Sequence, residues 1–439
     1  MSLMTPPGIS QKLKTGERKR MEESSVHPEK RIHMESLFSP IMRKFEGYTI
    51  GKMLRFLDDP EIISFAGGLP SPDVFPVDLI QRAAEKSLRE NWKESLQYSP
   101  IPGEKTLIEA IIDYLKKDDI HIGPENIVIT TSGQHGLDLV GRLFLSPQDI
   151  IVTDLPTFGG ALAAFELEDA RYLSVEIEED GSNIEAMEAG IENLLKQGRR
   201  PKVIYVVPDF QNPSGITMSL EKRLALLALG KKHRIPIVED SPYRDLRYKG
   251  DRIPSIYSLD KNQGNVVGLY TFSKLLCPGL RVGFNIGPPK VIDKFHFIKS
   301  ANILNTPKLN QDICTTFLRE YDLDAHFRKA RRYYSEKLSF FLEAMENNFP
   351  ESLGVKWTRP EGGLFLWITT PEEIDTNELF YRAIKEKVAF VPGEVFYPEG
   401  ARRHNTMRIN FSYPTKEQIL KGVERLARAV KDFRTSKKP

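Results

Sequence analysis

At 439 residues the chain has room for two or three domains, and a formal net charge of +2 gives no reason to expect a polyanionic partner. Apolar residues at 40% and charged residues at 28% suit a soluble globular protein, and no apolar run approaches the ~20 residues that cross a bilayer. The two cysteines, Cys277 and Cys314, make no disulfide framework and fit a reducing compartment. These bounds point to a cytoplasmic protein without a nucleic-acid or membrane partner.

Met1-Ser2-Leu3 ahead of Met4 reads as a vector-derived leader. Residues 1–34 form a polar arm, expected to be disordered, with basic residues at Lys12, Lys14, Arg18, Lys19 and Arg20. Glu17, Glu22 and Glu23, with no apolar h-region, argue against a nucleic-acid arm or a targeting peptide. Residues 35–75 are expected to pack as an N-terminal segment on the smaller domain and the active site.

From there short β-branched runs alternate with helical periodicity. Strands are predicted at 127–130, 150–153, 203–207, 235–239 and 266–270. Continuous apolar strands separated by helices indicate a mostly parallel sheet covered on both faces, with ligands beyond the strands' carboxyl ends. This large domain is expected to span 76–305. The pattern then changes: a long helical region over 289–348 breaks near Asn305-Thr306-Pro307, followed by short strands and a last helix over 416–433. A smaller α+β domain is expected over 306–439, completed by the N-terminal segment.

Most of the residues that carry chemistry follow the strands. Ser132-Gly133-Gln134 lies between a strand and a helix, where free amides and the helix dipole favour an anion. Phe158, in Asp154-Leu155-Pro156-Thr157-Phe158, can stack on an aromatic ring or simply fill the core. In Pro208-Asp209-Phe210-Gln211-Asn212-Pro213-Ser214-Gly215 a rigid turn presents an amide to a ligand oxygen, unless it is only a turn. Val238-Glu239-Asp240-Ser241-Pro242-Tyr243 ends an apolar strand with two carboxylates. Asp240 suits a pyridine nitrogen, Tyr243 a ring hydroxyl, and Glu239 points to the opposite face. No histidine stands nearby with a spacing that would make the pair a metal site.

Lys274 sits inside the apolar run Leu269-Tyr270-Thr271-Phe272-Ser273-Lys274-Leu275-Leu276, where a free ammonium is costly. That cost vanishes if the amine is neutral or bonded to a carbonyl cofactor. Thr271 and Ser273 before it and Arg281 after it are phosphate ligands by type, so together they suggest a phosphorylated aldehyde, pyridoxal phosphate. Arg408, in Met407-Arg408-Ile409-Asn410-Phe411-Ser412, lies within an apolar strand pattern and must be paired there. Its partner is either a substrate carboxylate or a protein one.

In their order along the chain these motifs resemble the fold-type-I pyridoxal-phosphate aminotransferases of class I/II. The resemblance spans about 48–433 and leans to the α-aminoadipate/kynurenine and aromatic branch through Ser64-Phe65-Ala66-Gly67-Gly68-Leu69-Pro70, Phe75-Pro76 and Leu96-Gln97-Tyr98-Ser99-Pro100 with Gly103. It implies an α/β fold with a large cofactor-binding domain and a small α+β one. Lys274 would hold pyridoxal 5'-phosphate as a Schiff base and move the proton. Asp240 would pair with the ring nitrogen, Asn212 and Tyr243 with the ring oxygen, and Phe158 would stack on the ring. Gly133, Gln134, Thr271, Ser273 and Arg281 would hold the phosphate. Arg408 and the Gly68 backbone would take the substrate carboxylate, and Tyr98 would reach into the active site of a second subunit, implying a homodimer.

Two departures stand out. Gly133 replaces a serine common in close relatives, and Gly51 stands where α-aminoadipate-type relatives carry a substrate-binding arginine, with Lys52 and Arg55 as substitutes. The expected reaction passes an amino group from an aromatic, branched-chain, kynurenine or 2-aminoadipate donor to 2-oxoglutarate. A β-lyase or synthase of the same fold is the enzymatic alternative. A regulator carrying this domain is the other, though no helix-turn-helix pattern precedes the core.

Overall fold

A computed structural model describes residues 33–45 and 59–436. The arm at 1–32 and the segment with Gly51, Lys52 and Arg55 lie outside the described residues. The chain divides into two compact units, 1–44 and 45–439. The described part of the first has two single-turn 3₁₀ helices, Met34–Leu37 and Met42–Lys44. The Arg43 guanidinium donates to the Phe38 carbonyl at 3.0 Å and the Ser36 carbonyl at 2.6 Å.

Among the described residues the second unit contains three sheets. Strand β1 (Ile63–Ser64) opens it. The strands of the largest sheet are β2 (Ile127–Thr130), β3 (Ile150–Leu155), β4 (Arg171–Glu178), β5 (Gly181–Ser182), β6 (Val203–Val206), β7 (Ile237–Asp240), β8 (Val266–Thr271) and β9 (Gly283–Ile286). They lie in the order β2-β9-β8-β7-β6-β3-β4-β5. Strand β9 is antiparallel to both β2 and β8, so β2 still runs the same way as β8, β7, β6 and β3. The carboxyl ends of those five strands therefore share one edge, where this class of sheet holds its ligands.

Strands β2, β3, β6, β7 and β8 are buried at every residue, which is why they read as unbroken apolar runs. Alternation along β7 sends Ile237 into one core layer and Val238 into the other. The first layer is closed by helices including Val77–Glu90, Lys105–Leu115 and Leu220–His233, the second by Ser132–Phe144, Gly159–Glu166 and Pro289–Asn302.

Strands β10 (Lys356–Trp357), β11 (Phe365–Thr369), β13 (Val391–Pro392) and β14 (Thr406–Asn410) form a four-stranded antiparallel sheet ordered β10-β11-β14-β13. It shares a core with helices Leu323–Asn348, Thr376–Lys385 and Lys416–Ser436. The short strand β12 (Val388–Ala389) pairs in parallel with β1, bringing the N-terminal segment into that core. Phe65 is fully buried there, edge-on to Phe341 at 5.2 Å, a burial worth roughly 1.5–3 kcal/mol. Helix Lys416–Ser436 approaches so closely that a Cβ on Gly422 would stand 2.4 Å from the Phe65 ring.

The structure departs from the expected elements in three places. The helical region over 289–348 is three helices, with a second break where Asp322 caps Leu323–Asn348 by accepting from the Ala325 amide at 2.8 Å. The middle helix, Lys308–Glu320, sends Ile313, Cys314 and Phe317 into the core of the large sheet, so the change of core follows it rather than falling at 306. Strands β1, β4, β5, β9 and β10 lie outside the expected ones: β1, β5 and β10 have two residues each, β4 is an amphipathic strand near the sheet margin, and β9 is masked by the turn before it.

Candidate active site

The shared strand edge gathers the candidate residues into two adjoining groups. In the first, Ser132 begins helix Ser132–Phe144 directly after β2, and its Oγ accepts from the Arg281 guanidinium at 2.5 Å. Arg281 has a positive φ of 52° and follows the single turn Pro278–Leu280, which returns the chain from Lys274 toward β9. Thr271 ends β8, and its Oγ1 donates to Ser273 Oγ at 3.0 Å and accepts from the Ser273 amide at 3.2 Å. A Cβ on Gly133 would lie 3.7 Å from Thr271 Cβ, which brings the helix start against these hydroxyls. A guanidinium, three hydroxyls and free helix amides form a cradle for a phosphate.

Gln134 Nε2 donates to the Gly160 carbonyl at 2.7 Å, so its side chain is tied back and its backbone amide is what the helix start offers. Phe158 caps helix Gly159–Glu166 beside it. A Cβ on Gly160 would come within 2.5 Å of the Phe158 ring and 2.7 Å of Gln134 Oε1, so glycine lets both lie on the helix start.

The second group centres on Lys274. Its Nζ donates to the Gly68 carbonyl at 2.8 Å. The residue keeps some exposure, but the protein around its ammonium, with the charges of Arg408 and Arg281, brings its pKa down to about 8. Gly68 is shared: its Cβ position lies 3.9 Å from an Arg408 terminal nitrogen. Arg408 projects from β14, opposite Trp367 of β11 and Val391 of β13. Its guanidinium donates to the Ala66 carbonyl at 2.7 Å and to Asn212 Oδ1 at 2.9 Å, with the Phe365 and Phe396 rings 4.5 and 5.0 Å away. Burial brings its pKa down to about 10, still well above neutrality, so it remains cationic.

From Asn212 the line continues to Tyr243, whose hydroxyl accepts from Asn212 Nδ2 at 3.5 Å. Burial raises the Tyr243 pKa, keeping the phenol protonated. Asp240 ends β7 and accepts from the Tyr205 hydroxyl at 2.9 Å. Its burial pushes its pKa up to about 7 against that hydrogen bond. Glu239 faces away, accepting from the Ile256 and Tyr257 amides at 3.0 and 2.8 Å, as alternation requires. Beneath the loop, the fully buried Arg223 pairs with Asp209 at 2.8 Å, and Arg244, next to Tyr243, reaches the same carboxylate at 3.4 Å.

Tyr98 stands apart. It is 75% exposed, and no hydrogen bond or ring contact joins it to this site among the described residues. Cys277 is buried with its thiol pKa raised by that burial, an inert setting.

The sequence profile of the class I and II aminotransferases matches residues 69–426. The chain is 36% identical to aromatic-amino-acid aminotransferase 1 of Thermococcus litoralis, over 94% of this chain and 98% of that protein. The chain belongs to the class I and II aminotransferases.

Among solved structures it is similar to the Pyrococcus horikoshii kynurenine aminotransferase in complex with PMP, with TM-score 0.87, 38% identity, and coverage of 93% of this chain and 99% of that one. It is also similar to the α-aminoadipate aminotransferase of Thermus thermophilus complexed with N-(5'-phosphopyridoxyl)-L-leucine, with TM-score 0.84, 35% identity, and coverage of 92% and 99%. The protein is therefore a pyridoxal 5'-phosphate-dependent aminotransferase.

The residues present fit that cofactor. Arg408 Nε is buried without a partner, and no carboxylate pairs with Arg408 among the described residues. Asp240 receives one donor from them, Tyr205, leaving acceptor capacity for a ring nitrogen. Two residues join these groups without standing out in the sequence: Ser132, within its turn, and Tyr205, within a strand. The signal for Tyr205 was a phenol inside an unbroken apolar strand, where its hydroxyl must find a partner.

Proposed function

We propose that this aminotransferase passes the amino group of an L-amino acid to 2-oxoglutarate in two half-reactions with ping-pong kinetics. The observation that carries this reading is Arg408, a buried cation with one nitrogen unpaired and no carboxylate of its own. Donor and acceptor of a transaminase both bring an α-carboxylate, and a guanidinium fork binds one bidentately.

When bound, the cofactor supplies a ring that accepts electrons as the substrate Cα–H bond weakens. The protein's own residues do the rest. Lys274 Nζ would hold the cofactor aldehyde, and its free amine would carry the proton. With a pKa of about 8, roughly one such amine in ten is neutral at pH 7, close enough to serve as both base and acid. Asp240 faces the ring nitrogen, and a cation there favours its ionised form over the neutral form that burial alone favours. Asn212 and Tyr243 would hold the ring oxygen, and Phe158 would pack on the ring. Ser132, Thr271, Ser273, Arg281 and the amides of Gly133 and Gln134 hold the phosphate. Arg408 and the Gly68 backbone orient the substrate carboxylate.

Donors are aromatic, branched-chain, 2-aminoadipate-like or kynurenine-like amino acids, a range supported by the relatives named above. The protein acts as a cytoplasmic homodimer in which each subunit completes the other's site, and the exposed Tyr98 is free to make that reach. Initial rates on a panel of these amino acids with 2-oxoglutarate test the reading. Parallel double-reciprocal lines and a visible band bleached by borohydride are expected. Release of pyruvate and ammonia without an acceptor would make the enzyme a β-lyase instead.

A further inference from the structure

Asp240 is served by one hydrogen bond, and its donor comes from a neighbouring strand. Strands β6 and β7 pair in parallel with Tyr205 opposite Val238, so Tyr205 and Asp240 point to the same face one pleat apart. Both side chains are buried, at 1% and 6% exposure, and the Tyr205 hydroxyl meets Asp240 Oδ2 at 2.9 Å. The Tyr205 ring is held edge-on by Phe165 at 5.6 Å, and no other hydrogen bond claims its hydroxyl among the described residues.

We propose that Tyr205 is a positioning residue: its hydroxyl fixes the Asp240 carboxylate and favours its charged form, so that the free oxygen is presented to the cofactor ring nitrogen. This rests on the assignment of Asp240 to that nitrogen made above. A buried carboxylate with one fixed donor loses less freedom on meeting a cation than one free to rotate. The donor also favours the ionised form that the pairing needs. Besides Tyr205, Tyr243 faces Asp240 from the loop after β7, while Asp154, at the end of β3, faces Tyr205. Burial holds both phenols protonated, so Tyr205 remains a donor.

The test is a double-mutant cycle on the holoenzyme with Tyr205→Phe and Asp240→Asn, reading cofactor affinity, thermal unfolding and the titration of 15N-labelled cofactor ring nitrogen. Tyr205→Phe keeps the ring against Phe165 and removes one oxygen. It is expected to weaken cofactor binding about tenfold, to move the ring-nitrogen titration about one pH unit lower, and to depress kcat more than KM. In the Asp240→Asn background the same change is expected to do nothing further, because Tyr205 acts through Asp240.

A folded Tyr205→Phe enzyme with wild-type ring-nitrogen titration and cofactor affinity overturns the proposal, as do effects that simply add in the double variant. A lower melting temperature alone assigns Tyr205 to packing and also overturns it. If Asp240→Asn leaves the ring-nitrogen titration unchanged, the assignment of Asp240 itself fails and this inference falls with it.

Discussion

Two lysines of this chain are withdrawn from water into the large-sheet body, and they serve opposite ends. Lys299, on helix Pro289–Asn302, is fully buried and donates to the carbonyls of Ile101 and Ile129 at 2.5 and 2.7 Å. Burial alone brings its pKa down to about 7, lower than that of Lys274. A depressed pKa therefore does not mark the reactive amine. What distinguishes Lys274 is its company: one carbonyl rather than two, some remaining exposure, and the nearby Arg408 with an unpaired nitrogen. Lys299 joins a strand end and a loop, whereas Lys274 is the amine proposed above to hold the cofactor.

The sharpest way to break this contrast is to remove each amine. Lys274→Ala is expected to lower turnover on the order of 10⁴-fold or more, since anchor and proton carrier vanish together, and to leave the protein folded. Steady-state rates and circular dichroism check it. A Lys274→Ala enzyme that still transaminates normally would sink the assignment. Next in size is Arg408→Gln, which leaves the substrate carboxylate without its charged partner. Two charge-assisted hydrogen bonds at about 1.5–3 kcal/mol each predict at least ~10²-fold in kcat/KM for donor and acceptor alike. An effect confined to one of them would contradict a shared carboxylate clamp.

Lys299→Met is expected to act on stability. It removes a desolvated cation and also leaves two carbonyls without a donor, for a net loss of about 1–3 kcal/mol only at high pH, where the amine is neutral in folded and unfolded chain alike. The pH dependence has a definite sign. Lys299 titrates near 7 when folded and near 10.5 when unfolded, so between those values the unfolded chain binds more protons. Its proton penalty is fully present below pH 7 and fades as the pH rises toward 10.5. The stability of wild type relative to Lys299→Met in urea unfolding should therefore rise from pH 7 to pH 10. A difference that stays constant would mean Lys299 is not depressed.

The comparison also explains what could be read from sequence. Lys274 was legible because hydroxyls and an arginine stand beside it in the chain, and Asp240 and Asn212 because each closes a recognisable strand or turn. Lys299 gave no signal, since its partners are backbone carbonyls 170 and 198 residues away. Tyr205 was hidden for the same reason: its partner is 35 residues on, across a strand pair whose register no local pattern fixes. The parallel sheet was legible from its unbroken apolar runs. Strand β9 was not, because four residues directly after a turn carry too little periodicity to separate from that turn.

The smallest predicted effect tests the phosphate cradle on its own. Gly133 has room for a side chain, since its Cβ would sit at ordinary contact distance, 3.7 Å, from Thr271 Cβ. The glycine is also in a helix's first turn, where it costs backbone entropy for no spatial gain. Gly133→Ser should therefore be tolerated, with a stability change within about 1 kcal/mol. If the first group of residues does hold the phosphate, the added hydroxyl gives it a further donor. One hydrogen bond at about 0.5–1.5 kcal/mol predicts cofactor binding tighter by a few-fold to roughly tenfold, with turnover little changed. Cofactor titration followed by absorbance measures it. Weaker binding in a well-folded variant would mean that the phosphate does not lie against this helix start, while Lys274 and Arg408 could keep their roles.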